Sequence, residues 1–214
     1  MIVGEVMSKK LFTVKKSDSL KKAQELMVEK SIRHLPVLDG KDLLGIITES
    51  DIRGAFMGKM IKTQAGKVAL LNPSRMKVSD YMTKEPMVVV PETHIEDAAL
   101  IIYKYKIGAL PVIKRNKLVG IISIMDILGI FVDLMGILHS SSRVDVAMDK
   151  NPKNFEKVSN IIHGENLNII SVGMAPYKDG GKKQVYFFRL DLCDTKGVVE
   201  KIKKAGFKVV SAFN

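Results

Sequence analysis

The chain has no tryptophan and a single cysteine, Cys193, in 214 residues. One thiol closes no internal disulfide and makes no cysteine-rich zinc site. Aromatic residues are 6% of the total, so aliphatic side chains must build the cores. No charged and then apolar leader opens the sequence, and the cytoplasm is the expected compartment. The patterns G-x-x-x-x-G-K-[ST], G-x-G-x-x-G, H-E-x-x-H and G-x-S-x-G are all missing, which removes the usual phosphate-transfer, dinucleotide, metalloprotease and hydrolase signatures. No catalytic residue is assigned and no cofactor is required. His34 has no second histidine or carboxylate at ligand spacing, so no metal site is expected either.

A membrane span is also excluded. Leu118 to Leu138 is a strongly apolar run, but Asp126 and Asp133 lie inside it, each costing about 2.5–3.5 kcal/mol at a bilayer centre. The run reads better as a buried strand followed by a buried helix. What remains is a folded composition, 46% hydrophobic and 27% charged, with a net charge of +11. Residues 55–77 carry Lys59, Lys62, Lys67, Arg75 and Lys77 with no acid, which is either a solvated linker or a phosphate-facing stretch. A nucleic-acid-binding or purely structural oligomerisation protein is the alternative reading of the charge. Against nucleic acid, the basic residues show no aromatic interleaving, and only six of the 34 are arginine.

The organising feature is an internal repeat. A shift of 75 residues superposes the window 3–54 on 78–129 without a gap, with 16 identities in 52 positions. Leu35-Pro36-Val37 falls on Leu110-Pro111-Val112, Gly45-Ile46-Ile47 on Gly120-Ile121-Ile122, and Asp51-Ile52 on Asp126-Ile127. Each copy reads as a short extended piece, an amphipathic helix, two apolar strands and a second helix. Leu20, Ala23 and Met27 recur at helical spacing, as do Ile95, Ala98 and Ile102, with Ser17-Asp18-Ser19 and a Thr93-x-x-Glu96 capping box marking the starts. Thr48 with Asp51 and Ser123 with Asp126 stand at strand-to-helix junctions. Such a pair is a capping box in its own right. It also suits a ligand, because a helix start with a hydroxyl favours phosphate and an acceptor-only carboxylate takes two ribose hydroxyls.

A β-α-β-β-α unit with HLPVL or ALPVI and then GIITESDI or GIISIMDI resembles the CBS domain, and two in tandem resemble a Bateman module. That resemblance implies an adenine nucleotide (AMP, ADP, ATP or an adenosyl relative) bound between the copies, and a homodimer through the CBS helices. It implies that Thr48 and Ser123 meet phosphate and that Asp51 and Asp126 hold ribose. The adenine is expected against Val14, Leu35 and Pro36 in one cleft and Val89, Leu110 and Pro111 in the other, the two prolines having edge-strand punctuation as their alternative role. Arg33, His34 and Arg53 are expected to supply cations to the first cleft, where the second has Gly108, Ala109 and Leu128. The first cleft should therefore favour phosphate-rich ligands.

Beyond Ser140-Ser141-Ser142, read as a hinge, the pattern changes to strand (143–148), helix (152–164), strand (167–175), a turn at Asp179-Gly180-Gly181, strand (184–192), a helix capped by Asp194-Thr195, and strand (207–213). This β-α-β-β-α-β order is ferredoxin-like and resembles the ACT domain, although Asn151-Pro152-Lys153-Asn154 lacks the Pro-Gly of amino-acid-binding members. The expected fold class is α/β (α+β), with CBS domains at 1–64 and 75–138 and an ACT-like domain at 143–214. The combination is similar to bacterial acetoin-utilisation regulatory proteins. It implies a non-catalytic sensor with a regulated protein partner and no membrane association.

Overall fold

The computed structural model describes residues 1–57, 61, 62, 68, 69, 73–177 and 183–213. They form two compact units, Met1–Ile127 and Leu128–Asn214, each treated by itself.

The first unit contains repeat one and repeat two as far as the first turn of its last helix, which continues from Leu128 in the second unit. Repeat one runs α1 (Val3–Val6), β1 (Val14–Lys15), α2 (Leu20–Lys30), β2 (His34–Asp39), β3 (Asp42–Thr48) and α3 (Glu49–Met57). A two-residue pair follows, β4 (Ile61–Lys62) with β5 (Val68–Ala69), antiparallel. Repeat two opens on a 3₁₀ turn (Val78–Asp80) and continues through β6 (Thr83–Lys84), α4 (Ile95–Tyr105), β7 (Ala109–Lys114), β8 (Lys117–Ser123) and α5 (Ile124–Leu134). Ser19 starts α2 because its hydroxyl accepts the Lys22 amide at 3.2 Å, and the helix buries Leu20, Ala23 and Met27 as its period requires. The capping box expected at Thr93 does not form. The Thr93 hydroxyl accepts from the Val90 amide in the preceding turn, and His94 stands at the cap without a side-chain bond.

The repeats exchange their openings. β6, which belongs to repeat two, completes the sheet of repeat one in the order β1-β2-β3-β6, while Ser8 of repeat one bridges Ile121 on β8. Glycines permit both approaches. A Cβ on Gly45 would stand 2.6 Å from the Thr83 carbonyl oxygen and 2.9 Å from the Met82 sulfur, and one on Gly120 would collide with the Met7 sulfur. Val14, Leu20, Leu35, Val37, Ile47, Ile52 and Val78 make the core of repeat one, again joining the second repeat's opening to the first.

The apolar helix α5, read as buried, is not covered within the single chain. Ile124, Met125, Leu128, Phe131 and Leu134 are each about half exposed or more, from 47% to 64%, and α5 has no buried residue. Its apolar content exceeds what one chain covers.

The second unit folds as β9 (Ser141–Asp149), α6 (Pro152–His163), β10 (Ile169–Pro176), β11 (Lys183–Asp191), α7 (Lys196–Lys204) and β12 (Lys208–Phe213), with sheet order β10-β11-β9-β12, all neighbours antiparallel. Val144, Val146, Phe188 and Leu190 of the sheet pack on Val158, Ile162, Val198 and Ile202 of the helices. Asn151 caps α6 by accepting the Lys153 amide, and Asp194 accepts the Lys196 amide at the start of α7. The serines read as a hinge are strand instead. Ser141 and Ser142 begin β9, and Ser142 is fully buried because its hydroxyl donates to the Cys193 carbonyl and accepts the Cys193 amide, both at 2.9 Å. The turn at Asp179-Gly180-Gly181 and the side chains of Lys59, Lys62 and Lys67 lie outside the described residues.

Candidate functional site

Two strand-to-helix junctions carry the same hydrogen-bonded figure. At the start of α3, Asp51 Oδ2 accepts the Thr48 amide and the Thr48 hydroxyl, both at 2.8 Å, and the Asp51 amide donates to Thr48 Oγ1 at 3.1 Å. At the start of α5, Asp126 Oδ2 accepts the Ser123 amide and hydroxyl, both at 2.7 Å, and its own amide donates to Ser123 Oγ at 3.3 Å. Both are complete capping boxes. In each, a single carboxylate oxygen carries both acceptor bonds. Among the described residues no hydrogen bond reaches Oδ1 of either aspartate, so each half-buried carboxylate keeps one oxygen free to accept further hydrogen bonds. Capping therefore uses one oxygen of each carboxylate and leaves the other.

The strands place the remaining residues around these junctions. On β2 the side chains of Leu35 and Val37 point into the core of repeat one, leaving His34 and Pro36 for the other face, since strand side chains alternate. Val14 is in the same core, bridged to Val37 by parallel pairing, so Val14 and Leu35 offer only main chain outside it. In repeat two, Val89, Ala109, Leu110 and Pro111 are likewise buried, with Val89 bridging Val112 in parallel.

His34 lies opposite Thr48 in the β2–β3 register. Its imidazole rests on Gly108 of repeat two, where any Cβ would collide with Nε2. This contact across the repeats was not read from the sequence, although the 75-residue shift pairs Gly108 with Arg33 and so marks it as the bare counterpart of a bulky site. Burial, and then the neighbouring Arg33 guanidinium, hold the imidazole below its ordinary pKa, against the pull of the Asp51 carboxylate.

Arg33, beside His34, and Arg53 also border a groove. Both are exposed, and the groove, of about 520 Å³, lies between α2 and α3, with Met27, Val28, Ile52 and Phe56. Arg53 is paired there with Glu49 at 3.2 Å. Arg53 lies two residues past Asp51, and two residues along a helix do not share a face. Among the described residues no cluster of three or more His, Cys, Asp or Glu is placed to hold a metal ion, and no helix is long and apolar enough to cross a membrane.

The family model for the CBS domain matches residues 3–58 and 78–133. The chain belongs to the CBS-domain family. A CBS domain-containing protein of Dictyostelium discoideum is 30% identical over 141 residues, 63% of this chain and 94% of that protein. Two enzymes also match in part: inosine-5′-monophosphate dehydrogenase of Korarchaeum cryptofilum, 34% identical over 118 residues, and homoserine O-acetyltransferase of Methanococcus vannielii, 36% identical over 124. The matches span 55% and 57% of this CBS protein but only 21% and 23% of those enzymes. Among solved structures, the CBS domain pair of protein MJ0100 in complex with 5′-methylthioadenosine and S-adenosyl-L-methionine matches 62% of the chain and 97% of that structure, with 26% identity and a TM-score of 0.52. A candidate acetoin utilization protein from Vibrio cholerae matches 64% of the chain and 94% of that structure, with 28% identity and a TM-score of 0.53.

Proposed function

We propose that this CBS protein is a non-catalytic, cytoplasmic sensor that binds an adenine nucleotide or related adenosyl ligand between its two repeats. The observation that carries the reading is the pair of boxes at Thr48/Asp51 and Ser123/Asp126, each leaving a free carboxylate oxygen beside a helix start. That oxygen is an acceptor for two ribose hydroxyls, and the helix start favours an anionic group. The adenosyl ligands of the MJ0100 pair support the ligand class. Ligand in the cleft touches both repeats, so it biases their arrangement by the difference in its affinity for the alternatives. The second unit is read as ACT-like, for its strand order and its β-α-β-β-α-β course, and it relays the change to a regulated partner or to a second copy. The exposed apolar stripe of α5 supports a homodimer through the CBS helices.

Thermal unfolding with AMP, ADP, ATP, 5′-methylthioadenosine and S-adenosylmethionine tests the reading. A ligand at a hundredfold excess over its Kd stabilises the native state by about 2.7 kcal/mol, a shift of several degrees. No shift with any of the five at millimolar concentration would refute it.

A further inference from the structure

We infer that His34 is a protonation-dependent selector in the first cleft, favouring adenosyl ligands with a phosphate tail when charged and those with an uncharged or sulfonium tail when neutral. The inference rests on the adenosyl reading and adds to it a specificity residue and a condition under which the preference changes.

Two placements bring the imidazole to the tail end of the site. Strand register sets His34 opposite Thr48, the residue whose amide and hydroxyl are gathered at Asp51 Oδ2. Packing sets the ring on Gly108, across the repeats, so the side chain points into the space between them rather than out to solvent. Position 109 of repeat two, the counterpart of His34 after the 75-residue shift, is alanine, so the second cleft has no such group. The selector exists once.

The charged groups that act on the ring are Arg33, which precedes it on the approach to β2, and Asp51 at the start of α3; from repeat two it meets the uncharged Gly108. Without ligand, burial and Arg33 disfavour the imidazolium more than Asp51 favours it. Near neutral pH the ring is therefore uncharged and brings no cation of its own to the tail, so an uncharged methylthio or a sulfonium tail is not opposed there. A phosphate tail reverses the balance, because an anion within a few ångströms restores the imidazolium and binding takes up a proton. The affinity difference between the two charge states is tenfold for each unit by which the ligand moves the pKa.

The experiment is competition between AMP and 5′-methylthioadenosine on the whole chain by calorimetry at pH 8 and pH 6. It uses the wild type, His34→Gln, which keeps a polar side chain without the charge, and His34→Arg, which fixes the charge. The AMP phosphate itself gains a proton near pH 6, but this is common to all three proteins, so comparison between them isolates the ring. The expected result is a rise of about fivefold or more in the AMP preference of the wild type, relative to His34→Gln, on going from pH 8 to pH 6. His34→Arg should hold the higher preference at both values. Titration in buffers of different ionisation enthalpy at pH 7 should show greater proton uptake with AMP in the wild type than in His34→Gln, and none with 5′-methylthioadenosine. AMP binding with the same pH dependence and proton uptake in wild type and His34→Gln overturns the inference while leaving the adenosyl reading intact. If neither ligand binds the wild type at either pH, the adenosyl reading falls and this inference falls with it.

Discussion

Asp51 and Asp126 occupy equivalent boxes, yet their surroundings differ, and that difference fixes what each substitution does. Asp51→Ala removes both the cap acceptor of α3 and the free Oδ1 proposed for ribose. The cap alone is worth about 1 kcal/mol, so the variant should unfold slightly earlier, while AMP affinity falls tenfold or more. Calorimetry alongside thermal unfolding separates the two effects, and a lower Tm with unchanged affinity would assign the box to capping alone. Asp126→Ala should cost less affinity, since alanine replaces His34 in its cleft. His34 also links stability to pH. Its native pKa lies below the ordinary value near 6.5, so the unfolded chain binds the proton more readily. The contribution is fully present above about pH 6.5 and is lost as pH falls below it. The unliganded wild type should therefore lose more stability than His34→Gln between pH 7.5 and 5.5 in denaturant titrations. Equal losses would show that the ring is not held neutral by the fold.

At the scale of elements, the two repeats were legible because their periodicity and their 75-residue identity point the same way. Leu20, Ala23 and Met27 are buried where the period places them, as are Ile95, Ala98 and Ile102. The boxes were legible too, since a hydroxyl and a carboxylate three residues apart at a strand end have few other arrangements. What was not legible is how one repeat touches the other. A repeat aligned with itself gives internal contacts, and says nothing of Met82 lying on Gly45 or His34 on Gly108. Nor does it show that Arg33 and Arg53, read as cations present in one repeat and missing from the other, both border the α2–α3 groove. The exchange of openings makes its own prediction. Gly45→Ala places a Cβ against the Thr83 carbonyl oxygen, main chain held by the β3–β6 pairing, whereas the same change at Gly120 meets only the flexible Met7 side chain. Overpacking of this kind costs about 1–3 kcal/mol. Chemical denaturation should therefore show Gly45→Ala as clearly destabilised and Gly120→Ala as the milder variant; the reverse order would mean that β6 gives way more easily than Met7.

For the whole molecule, charge and apolar surface make opposed demands. At a net +11, two copies repel one another, and that repulsion is screened over about 10 Å at 0.1 M salt and 3 Å at 1 M. Against it stands α5, where Ile124, Leu128 and Phe131 recur at i, i+4 and i+7 with Met125 beside them, all near half exposed, and where Asp126 and Asp133 are the only charges. A stripe of that kind is more apolar than a monomer ordinarily leaves to solvent, and at i, i+4 and i+7 it forms one continuous face for a second helix. If apolar contact drives the assembly and charge opposes it, the homodimer should tighten as salt rises, where an association built on ion pairs would loosen. Sedimentation equilibrium at 0.05 M and 0.5 M sodium chloride should give the mass of a dimer, with the lower dissociation constant at the higher salt. Phe131→Asp, a charge in the middle of the stripe at a position already exposed in the single chain, should yield a folded monomer whose Tm, unlike that of the wild type, does not depend on protein concentration. A wild type that sediments as a monomer at every concentration would refute the homodimer, and a Phe131→Asp variant that stays dimeric would place the interface elsewhere; either result would leave the apolar face of α5 to a different partner.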